Sequence, residues 1–251
     1  MSANDDIKAG RREFLQAAAT AAAGLALGSV PLATRAAAAD GSGMKIGVIG
    51  SGRIGGTLGG LWVKAGHEVL FSARNLDEVR KVIEGLGPKA RAGTPQEAAA
   101  FGEVILISVP YSALPQIGRD LAAELKGKVV LDTCNPIPRR DGPMAEAARA
   151  RGTGVASPEY LPGVRLVRAF NTVGARFLQS EAHRAGEKVA IPLAADDPAA
   201  LRIASRLVED AGFEPVAVGP LSRAIEFDTG TAVYGKALTA QELRKALGIS
   251  S

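Results

Sequence analysis

The chain has 251 residues, with 30 lysines and arginines against 26 aspartates and glutamates, and a formal net charge of +4 at pH 7. The basic residues are spread along the chain without interleaved aromatic residues, which gives nucleic-acid binding little support. The single cysteine, Cys134, excludes an intrachain disulfide, and no cysteine or histidine cluster has the spacing of a metal site.

The N-terminal segment has the layout of a twin-arginine signal. Arg11-Arg12-Glu13-Phe14-Leu15 precedes an alanine-rich stretch over residues 16–30. This stretch is too short and too weakly apolar for a stable membrane span. We therefore expect residues 1–39 to be a cleaved signal peptide, a periplasmic or extracytoplasmic location, and a single domain over residues 40–251 without a stable membrane span. The alternative is a leader that is retained.

A glycine-rich turn follows the first predicted strand, Met44 to Ile49. It reads Gly50-Ser51-Gly52-Arg53-Ile54-Gly55, and a helical pattern begins directly behind it. Strand, glycine turn and helix in this order are typical of a dinucleotide-binding fingerprint, in which the helix N-terminus receives the pyrophosphate. The alternative is an ordinary glycine turn. We predict that Gly50, Ser51, Gly52, Arg53, Ile54 and Gly55 bind the cofactor.

The end of the second predicted strand, His67 to Phe71, indicates which dinucleotide is bound. NAD-specific folds carry an Asp or Glu about 20 residues beyond the glycines, and this chain has Ser72-Ala73-Arg74-Asn75 there. A guanidinium and a hydroxyl suit a 2′-phosphate, so Ser72 and Arg74 predict NADP(H) as the cofactor. The alternative is that Arg74 is a solvated loop charge.

The remaining chain alternates short apolar runs with helical patterns. Further strands are predicted at residues 90–92, 103–109, 128–132, 166–170, 188–193 and 214–218. Helices are predicted from the Thr94 cap onwards and at 113–125, 198–211, 222–234 and 240–247. The alternation predicts an α/β, Rossmann-like, doubly wound fold with one mostly parallel sheet and helices on both faces. His67 and His183 are predicted to be surface or loop residues rather than catalysts.

Ligands of open parallel sheets bind beyond the carboxyl ends of the strands. The candidate site there includes Val109 and Pro110 after one strand, Asn135 and Pro136 after the next, and Asn171 after the one that follows. The asparagines offer donors and acceptors for a carboxamide or a flavin-like ring edge. The alternatives are that Pro110 only shapes a turn and that Asn171 only caps a loop.

In these motifs and in their order along the chain, the protein resembles the F420-dependent NADP oxidoreductases. The nucleotide domain of that family is shared with the cytosolic part of the six-transmembrane ferric reductases. The resemblance spans nearly all of residues 40–251. It rests on Met44 to Gly56, His67 to Arg74, Val109-Pro110, Asp132-Thr133-Cys134-Asn135-Pro136, Ala169-Phe170-Asn171-Thr172, Gly219-Pro220-Leu221 and Glu226. The chain departs from the family pattern at Ala73, where Ser or Thr is usual, and in its export signal.

The resemblance implies NADPH over the glycine loop, with Arg74 at its 2′-phosphate and F420 or a flavin stacked on the nicotinamide near Asn135 and Asn171. It implies hydride transfer between the nicotinamide and a small-molecule redox acceptor, without an identified catalytic acid or base. A homodimer is one assembly compatible with it. The alternative function is a non-catalytic NADP-binding module that senses nucleotide or docks on a membrane redox partner.

Overall fold

The computed structural model of the protein describes residues 43–250. The predicted twin-arginine signal at residues 1–39 lies outside this range. None of the helices in the described part of the chain combines the length and the apolar character that a bilayer-crossing helix needs.

Within residues 43–250, eight strands form one sheet in the order β3-β2-β1-β4-β5-β6-β7-β8. Neighbouring strands are parallel except for the antiparallel pair β6 and β7. The strands are β1 (Lys45–Ile49), β2 (Glu68–Ser72), β3 (Ala90–Gly93), β4 (Val104–Ile107), β5 (Val129–Asp132), β6 (Arg165–Arg168), β7 (Ala190–Ala195) and β8 (Glu214–Gly219). A parallel sheet with crossover helices confirms the predicted Rossmann-like fold.

Helices connect most of the strands. They are α1 (Arg53–Lys64), α2 (Leu76–Ile83), α3 (Pro95–Phe101), α4 (Leu114–Asp120), α5 (Ala122–Leu125), α6 (Pro138–Asp141), α7 (Pro143–Arg151), α8 (Thr153–Tyr160), α9 (Ala175–Ser180), α10 (Pro198–Asp210) and α11 (Ala240–Ala246), with 3₁₀ helices at Tyr111–Ala113 and Leu221–Phe227. The predicted cap of α3 is present, because the Thr94 side chain accepts from the Glu97 N–H and the Glu97 carboxylate accepts from the Thr94 N–H.

The central strands are buried on both faces of the sheet. In β4, Val104 and Leu106 belong to the core under α1 and α10, whereas Ile105 and Ile107 belong to the core under α4 and α8. Successive strand residues point to opposite faces, so a run of four aliphatic residues is stable only between two helical layers. The Trp62 indole N–H donates to the Leu207 carbonyl at 2.8 Å and links α1 to α10 within the first core.

The reversal between β6 and β7 could not be predicted from strand patterns. Because β7 and β8 run against the other strands, their carboxyl ends lie at the opposite edge of the sheet. The carboxyl ends of β1, β2, β4, β5 and β6 meet at one edge.

Two predictions about local structure need correction. The helical segment predicted over residues 222–234 is a 3₁₀ helix at Leu221–Phe227, followed by turns, and the helices α6, α7 and α8 were not predicted. His67 lies in the loop before β2, as predicted, but it is not at the surface, because only 2% of it is exposed. Its Nδ1 accepts from the Met44 N–H at 3.0 Å, so its Nε2 carries the proton and donates to the Asp210 carboxylate at 3.0 Å.

The buried His67 makes stability depend on pH. Burial lowers its pKa below the ordinary 6.5, although the hydrogen bond to Asp210 opposes this shift. The unfolded chain therefore takes up the proton first as the pH falls below 6.5, and protonation of Nδ1 also removes the acceptor of the Met44 N–H. The stabilisation of the fold by neutral His67 is complete above the pKa that His67 has in the unfolded chain. It is lost as the pH falls through the lower pKa of the folded protein.

We expect the free energy of unfolding of the wild type to fall faster than that of His67→Asn as the pH is lowered from about 7.5 to about 5. The asparagine oxygen can accept from Met44 but does not titrate. Urea titrations at each pH measure the difference. His183→Asn is the matched control and should keep the wild-type slope, since its side chain is exposed. Parallel profiles for wild type and His67→Asn would contradict the prediction.

Candidate functional site

The sequence-predicted site residues lie at one edge of the sheet. Loops there follow β1, β2, β4, β5 and β6, whose strands pair in parallel register. The structure brings together Gly50, Ser51, Gly52, Arg53, Ile54, Gly55, Ser72, Arg74, Val109, Pro110, Asn135, Pro136 and Asn171 at this edge.

The glycines of the first loop have three different roles. Gly50 has a φ of +97°, and a Cβ there would lie 2.3 Å from the Ser108 carbonyl oxygen. A Cβ on Gly55 would lie 2.2 Å from the Gly50 carbonyl oxygen, so this glycine lets α1 pack against its own loop. A Cβ on Gly52 would meet no atom of the described residues within 4 Å. The absence of a side chain at Gly52 leaves open space directly in front of α1.

The N-terminus of α1 is open to a ligand. Its N-cap residue is Gly52, no side chain from the described residues 43–250 caps it, and its first turn carries no acidic residue. The first N–H groups of a helix have no partner within the helix, and they form the positive end of its dipole. An anion in the open space at Gly52 would satisfy these groups.

Ser72 does not have the predicted role. It is fully buried, and its hydroxyl donates to the Val48 carbonyl at 2.8 Å. Its carbonyl accepts from the Gly50 N–H, the Ser51 N–H and the Ser51 hydroxyl. Ser72 and Ser51 therefore stabilise the base of the glycine loop, and neither hydroxyl is directed to a phosphate.

Arg74 is available for a ligand. It follows β2, it is exposed, and it has no ion pair within residues 43–250, in contrast to Arg80, which pairs with Asp77. Arg53, in the first turn of α1, is exposed as well. The chain thus presents two exposed guanidinium groups, one after β2 and one in the first turn of the uncapped helix, and both suit an anionic ligand.

The loop after β4 forms one side of the glycine loop. Val109 is half-buried, and its Cγ1 would lie 2.7 Å from a Cβ on Gly50. Pro110 is exposed and precedes the 3₁₀ turn Tyr111–Ala113, whose Ala113 N–H donates to the Pro110 carbonyl. Pro110 therefore shapes this turn, which was the structural alternative considered for it.

Asn135 and Asn171 contact each other and leave two acceptors free. The Asn135 side-chain NH₂ donates to the Asn171 carbonyl at 2.8 Å, and the Asn171 NH₂ donates to the Phe227 carbonyl at 3.3 Å. These bonds determine the orientation of both amides. The Oδ1 atoms of Asn135 and Asn171 are then buried without a partner in the described part of the chain. Buried acceptors that lack donors are rare, and water, a ligand group or a small side-chain movement supplies the donor.

A buried ion cluster under the asparagines was missed from the sequence. The Arg168 guanidinium lies 2.8 Å from the Asp132 carboxylate and 3.4 Å from the Asp228 carboxylate, and it donates to the carbonyls of Asp132 and Cys134. Burial opposes its charge, but the two carboxylates outweigh burial and raise the pKa of Arg168. The sequence feature that could have indicated this cluster is a charged residue within the otherwise apolar run Leu166 to Phe170.

A third carboxylate, that of Asp141, joins the loops after β4 and β5. Asp141 accepts from the Ser112 hydroxyl at 3.0 Å, the Ile137 N–H at 2.9 Å and the Arg140 guanidinium. Burial favours its neutral form, but these hydrogen bonds prevail and lower the pKa of Asp141 to about 2. Arg140 also donates to the Asn135 carbonyl at 2.7 Å, so Asp141 supports the backbone of Asn135 indirectly.

The residue before Asn171 has a strained backbone. Phe170 has a φ of +55° and is 1% exposed. Bulky residues rarely adopt this conformation, which costs on the order of 1–3 kcal/mol and clusters at functional sites. The ring is held edge-on by Trp62 and Phe213, at centroid distances of 6.2 and 6.3 Å. Packing of the aromatic core therefore determines where Asn171 lies.

Comparison with known proteins agrees with this geometry. Residues 45–136 match the model of the family NADP oxidoreductase, coenzyme F420-dependent, which confirms the resemblance predicted from the sequence. The metalloreductase STEAP3 of Rattus norvegicus is 30% identical over 192 residues, 73% of this chain and 36% of that protein. The chain thus spans about a third of the length of this curated relative.

Two solved structures share the fold. The hypothetical protein SMa0349 of Sinorhizobium meliloti has a TM-score of 0.66 and 23% identity, over 78% of this chain and 95% of its own. A protein of Arthrobacter sp. FB24, provisionally described as an F420-dependent NADP reductase, has a TM-score of 0.64 and 21% identity, over 78% of this chain and 100% of its own. At these identities the likeness establishes the fold alone.

The same substitution, glycine to serine, should have different effects at two positions of the glycine loop. Gly52→Ser should keep or slightly raise the free energy of unfolding, by a few tenths of a kcal/mol, because serine is a good N-cap. It should weaken NADPH binding at least about tenfold, since the side chain occupies the open space before α1. Gly55→Ser should instead destabilise the fold by about 1–3 kcal/mol through overpacking against Gly50.

Calorimetric titration with NADPH and thermal unfolding measure the two effects. Unchanged NADPH affinity in a folded Gly52→Ser variant would contradict binding of the pyrophosphate at this loop.

Proposed function

We propose that the protein is an NADP(H)-dependent oxidoreductase that transfers a hydride between the nicotinamide and a deazaflavin- or flavin-type acceptor. The observation that carries this proposal is the pair of buried, unpartnered oxygens of Asn135 and Asn171, beyond the same sheet edge as an uncapped helix N-terminus. The match of residues 45–136 to an NADP oxidoreductase family supports it independently.

The residues present fit an NADP molecule. The N–H groups at the start of α1 would hold the pyrophosphate, and the open space at Gly52 leaves room for it. Arg74 would bind the 2′-phosphate, because its fork of donors is exposed and has no acidic partner among residues 43–250. The unpaired Asn oxygens would accept from the NH₂ of a carboxamide or from the N–H edge of an acceptor ring.

Little acid–base chemistry is needed for such a reaction. The bound nicotinamide supplies the hydride, and the protein contributes orientation and exclusion of water. Burial raises the pKa of the Tyr111 hydroxyl and of the Cys134 thiol, so both stay protonated near the site and neither acts as a base. The strained Phe170 and the Arg168 cluster keep the two amides in place.

A second candidate is a non-catalytic NADP-binding module that senses nucleotide or docks on a membrane redox partner. The observation that favours it is that the start of α1 and the exposed Arg74 account for a bound nucleotide without a second ligand. In this case the carboxamide alone would satisfy the Asn oxygens, and the electrons would be used by another protein.

The cofactor preference is tested by Arg74→Ala. We expect it to weaken NADPH by about 1.5–3 kcal/mol, the contribution of a hydrogen bond to a charged group, and to leave NADH nearly unchanged. Arg80→Ala removes a nearby exposed arginine that already pairs with Asp77 and is the matched control. Calorimetric titration measures both nucleotides. Equal losses of affinity for NADPH and NADH would show that Arg74 does not bind the 2′-phosphate.

The acceptor is tested by stopped-flow oxidation of NADPH with F420, FMN, FAD and a ferric chelate. We expect saturable reduction of at least one deazaflavin or flavin, and its loss in Gly52→Ser, in which nucleotide binding is blocked. Reduction of the ferric chelate alone would contradict a ring acceptor. If the protein binds NADPH tightly and reduces none of the four, the non-catalytic module is the correct function.

A further inference from the structure

Two guanidinium groups hold the backbone of the loop after β5. Arg168 donates to the Cys134 carbonyl at 3.0 Å as part of the buried ion cluster. The Arg140 Nη2 donates to the next carbonyl along the chain, that of Asn135, at 2.7 Å. Hydrogen bonds with a charged partner are stronger than neutral ones. Two consecutive carbonyls beside the Asn135 amide are therefore held by strong donors.

The two guanidinium groups differ in exposure. Arg168 is completely buried, so its removal would leave two carboxylates without their partner and would destabilise the fold. Arg140 has 45% of its side chain exposed. A substitution at Arg140 can therefore change the loop without removing a core residue, and its role can be measured apart from folding.

A buried carboxylate determines the orientation of Arg140. The Asp141 side chain accepts from the Arg140 Nε at 3.0 Å and from its Nη2 at 2.8 Å, so the planar guanidinium is held at two points. Asp141 is itself held by the Ser112 hydroxyl at 3.0 Å and the Ile137 N–H at 2.9 Å. Ser112 belongs to the 3₁₀ turn after β4, so the loops after β4 and β5 share one anchor.

The position of the Asn135 amide depends on this anchored backbone. Its NH₂ donates to the Asn171 carbonyl at 2.8 Å, and its Oδ1 is buried without a partner among residues 43–250. A rotation of the Asn135 backbone would change the direction of Oδ1, and hydrogen bonds weaken steeply as their angle departs from linear. The donor that holds the Asn135 carbonyl thus also determines where its free acceptor points.

Resting on the proposed function, we infer that Arg140 is a positioning residue, which holds the Asn135 backbone so that Oδ1 can accept from the nicotinamide carboxamide. Arg140 acts through Asn135 and need not touch the nucleotide. Its loss should weaken the contribution of the nicotinamide to binding and slow hydride transfer. Binding of the adenosine and phosphate part should stay unchanged, because the residues proposed for it lie at α1 and after β2.

The affinity for NADPH relative to 2′-phospho-ADP-ribose, which lacks the nicotinamide, tests this role. We expect the full-length wild type to bind NADPH about twofold to tenfold more tightly, as one hydrogen bond allows. Arg140→Met should lower this ratio to about one without changing the affinity for 2′-phospho-ADP-ribose. Arg140→Lys keeps a charge beside Asp141 but has a single donor nitrogen, and it should give an intermediate ratio. Calorimetric titration measures both nucleotides.

A double-mutant cycle with Asn135→Ala separates positioning from a general effect on the fold. If Arg140 acts through Asn135, Arg140→Met should not change the ratio further once the amide has been removed. Arg139→Met replaces the adjacent exposed arginine and is the matched control, which should keep the wild-type ratio. Thermal unfolding verifies that each variant is folded.

A wild-type ratio of one, an unchanged ratio in Arg140→Met, or additive effects of Arg140→Met and Asn135→Ala would overturn the inference. Hydride transfer is measured separately, by single-turnover oxidation of saturating NADPH with an acceptor that the wild type reduces. An unchanged rate in Arg140→Met would also overturn the inference. If the wild type reduces no acceptor but the ratios behave as expected, the positioning role stands and the proposed function fails. Reduction of a flavin or deazaflavin with a ratio that Arg140→Met leaves unchanged would do the opposite.

Discussion

The burial of Arg168 is the constraint on which the functional edge depends. A guanidinium with no exposed surface is stable only if carboxylates and carbonyls surround it, and removal of one partner from such a pair costs about 3–5 kcal/mol. Here the partners are Asp132 at the end of β5 and Asp228 in the C-terminal segment. One side chain of β6 therefore ties two distant parts of the chain to the end of the sheet.

The position of both asparagines follows from this cluster. Arg168 binds the carbonyl of Cys134, directly before Asn135, and it is the last residue of β6, three residues before Asn171. Between Arg168 and Asn171 the chain passes through Phe170 in a left-handed conformation. Such strain persists where the surroundings over-determine the structure, and here the ion cluster and the aromatic core do so from two sides. The amides are thus preorganised by residues that need not touch a ligand themselves.

The features that were predicted correctly from the sequence are those that local residue patterns determine. All eight strands lie where apolar runs indicate them, and the glycine loop and the cap at Thr94 have the expected form. These features depend on neighbours within a few residues. The antiparallel pairing of β7, by contrast, depends on which edge the chain crosses between Asn171 and Ala190, and no periodicity records that path.

The missed side chains have the same explanation. Ser72 has a phosphate-binding spacing, but the backbone of β1 accepts its hydroxyl once the strands pair. His67 is polar and precedes a strand, yet α10 closes over it with Asp210. Asp228 is 60 residues from Arg168 and meets it only in the folded chain. In each case a tertiary partner, absent from the local sequence, decides whether a polar residue serves a ligand or the fold.

The order of the strands determines the order of charged and neutral groups along this edge of the sheet. Moving across the sheet, Arg74 follows β2, the uncapped helix follows β1, and the neutral amides follow β5 and β6. From β2 to β6 this is about 19 Å at the usual strand spacing. Positive groups thus lie on the β1–β2 side of this edge and amide groups on the β5–β6 side. This arrangement suits an elongated ligand with an anionic group at the first side and a polar, uncharged group at the second.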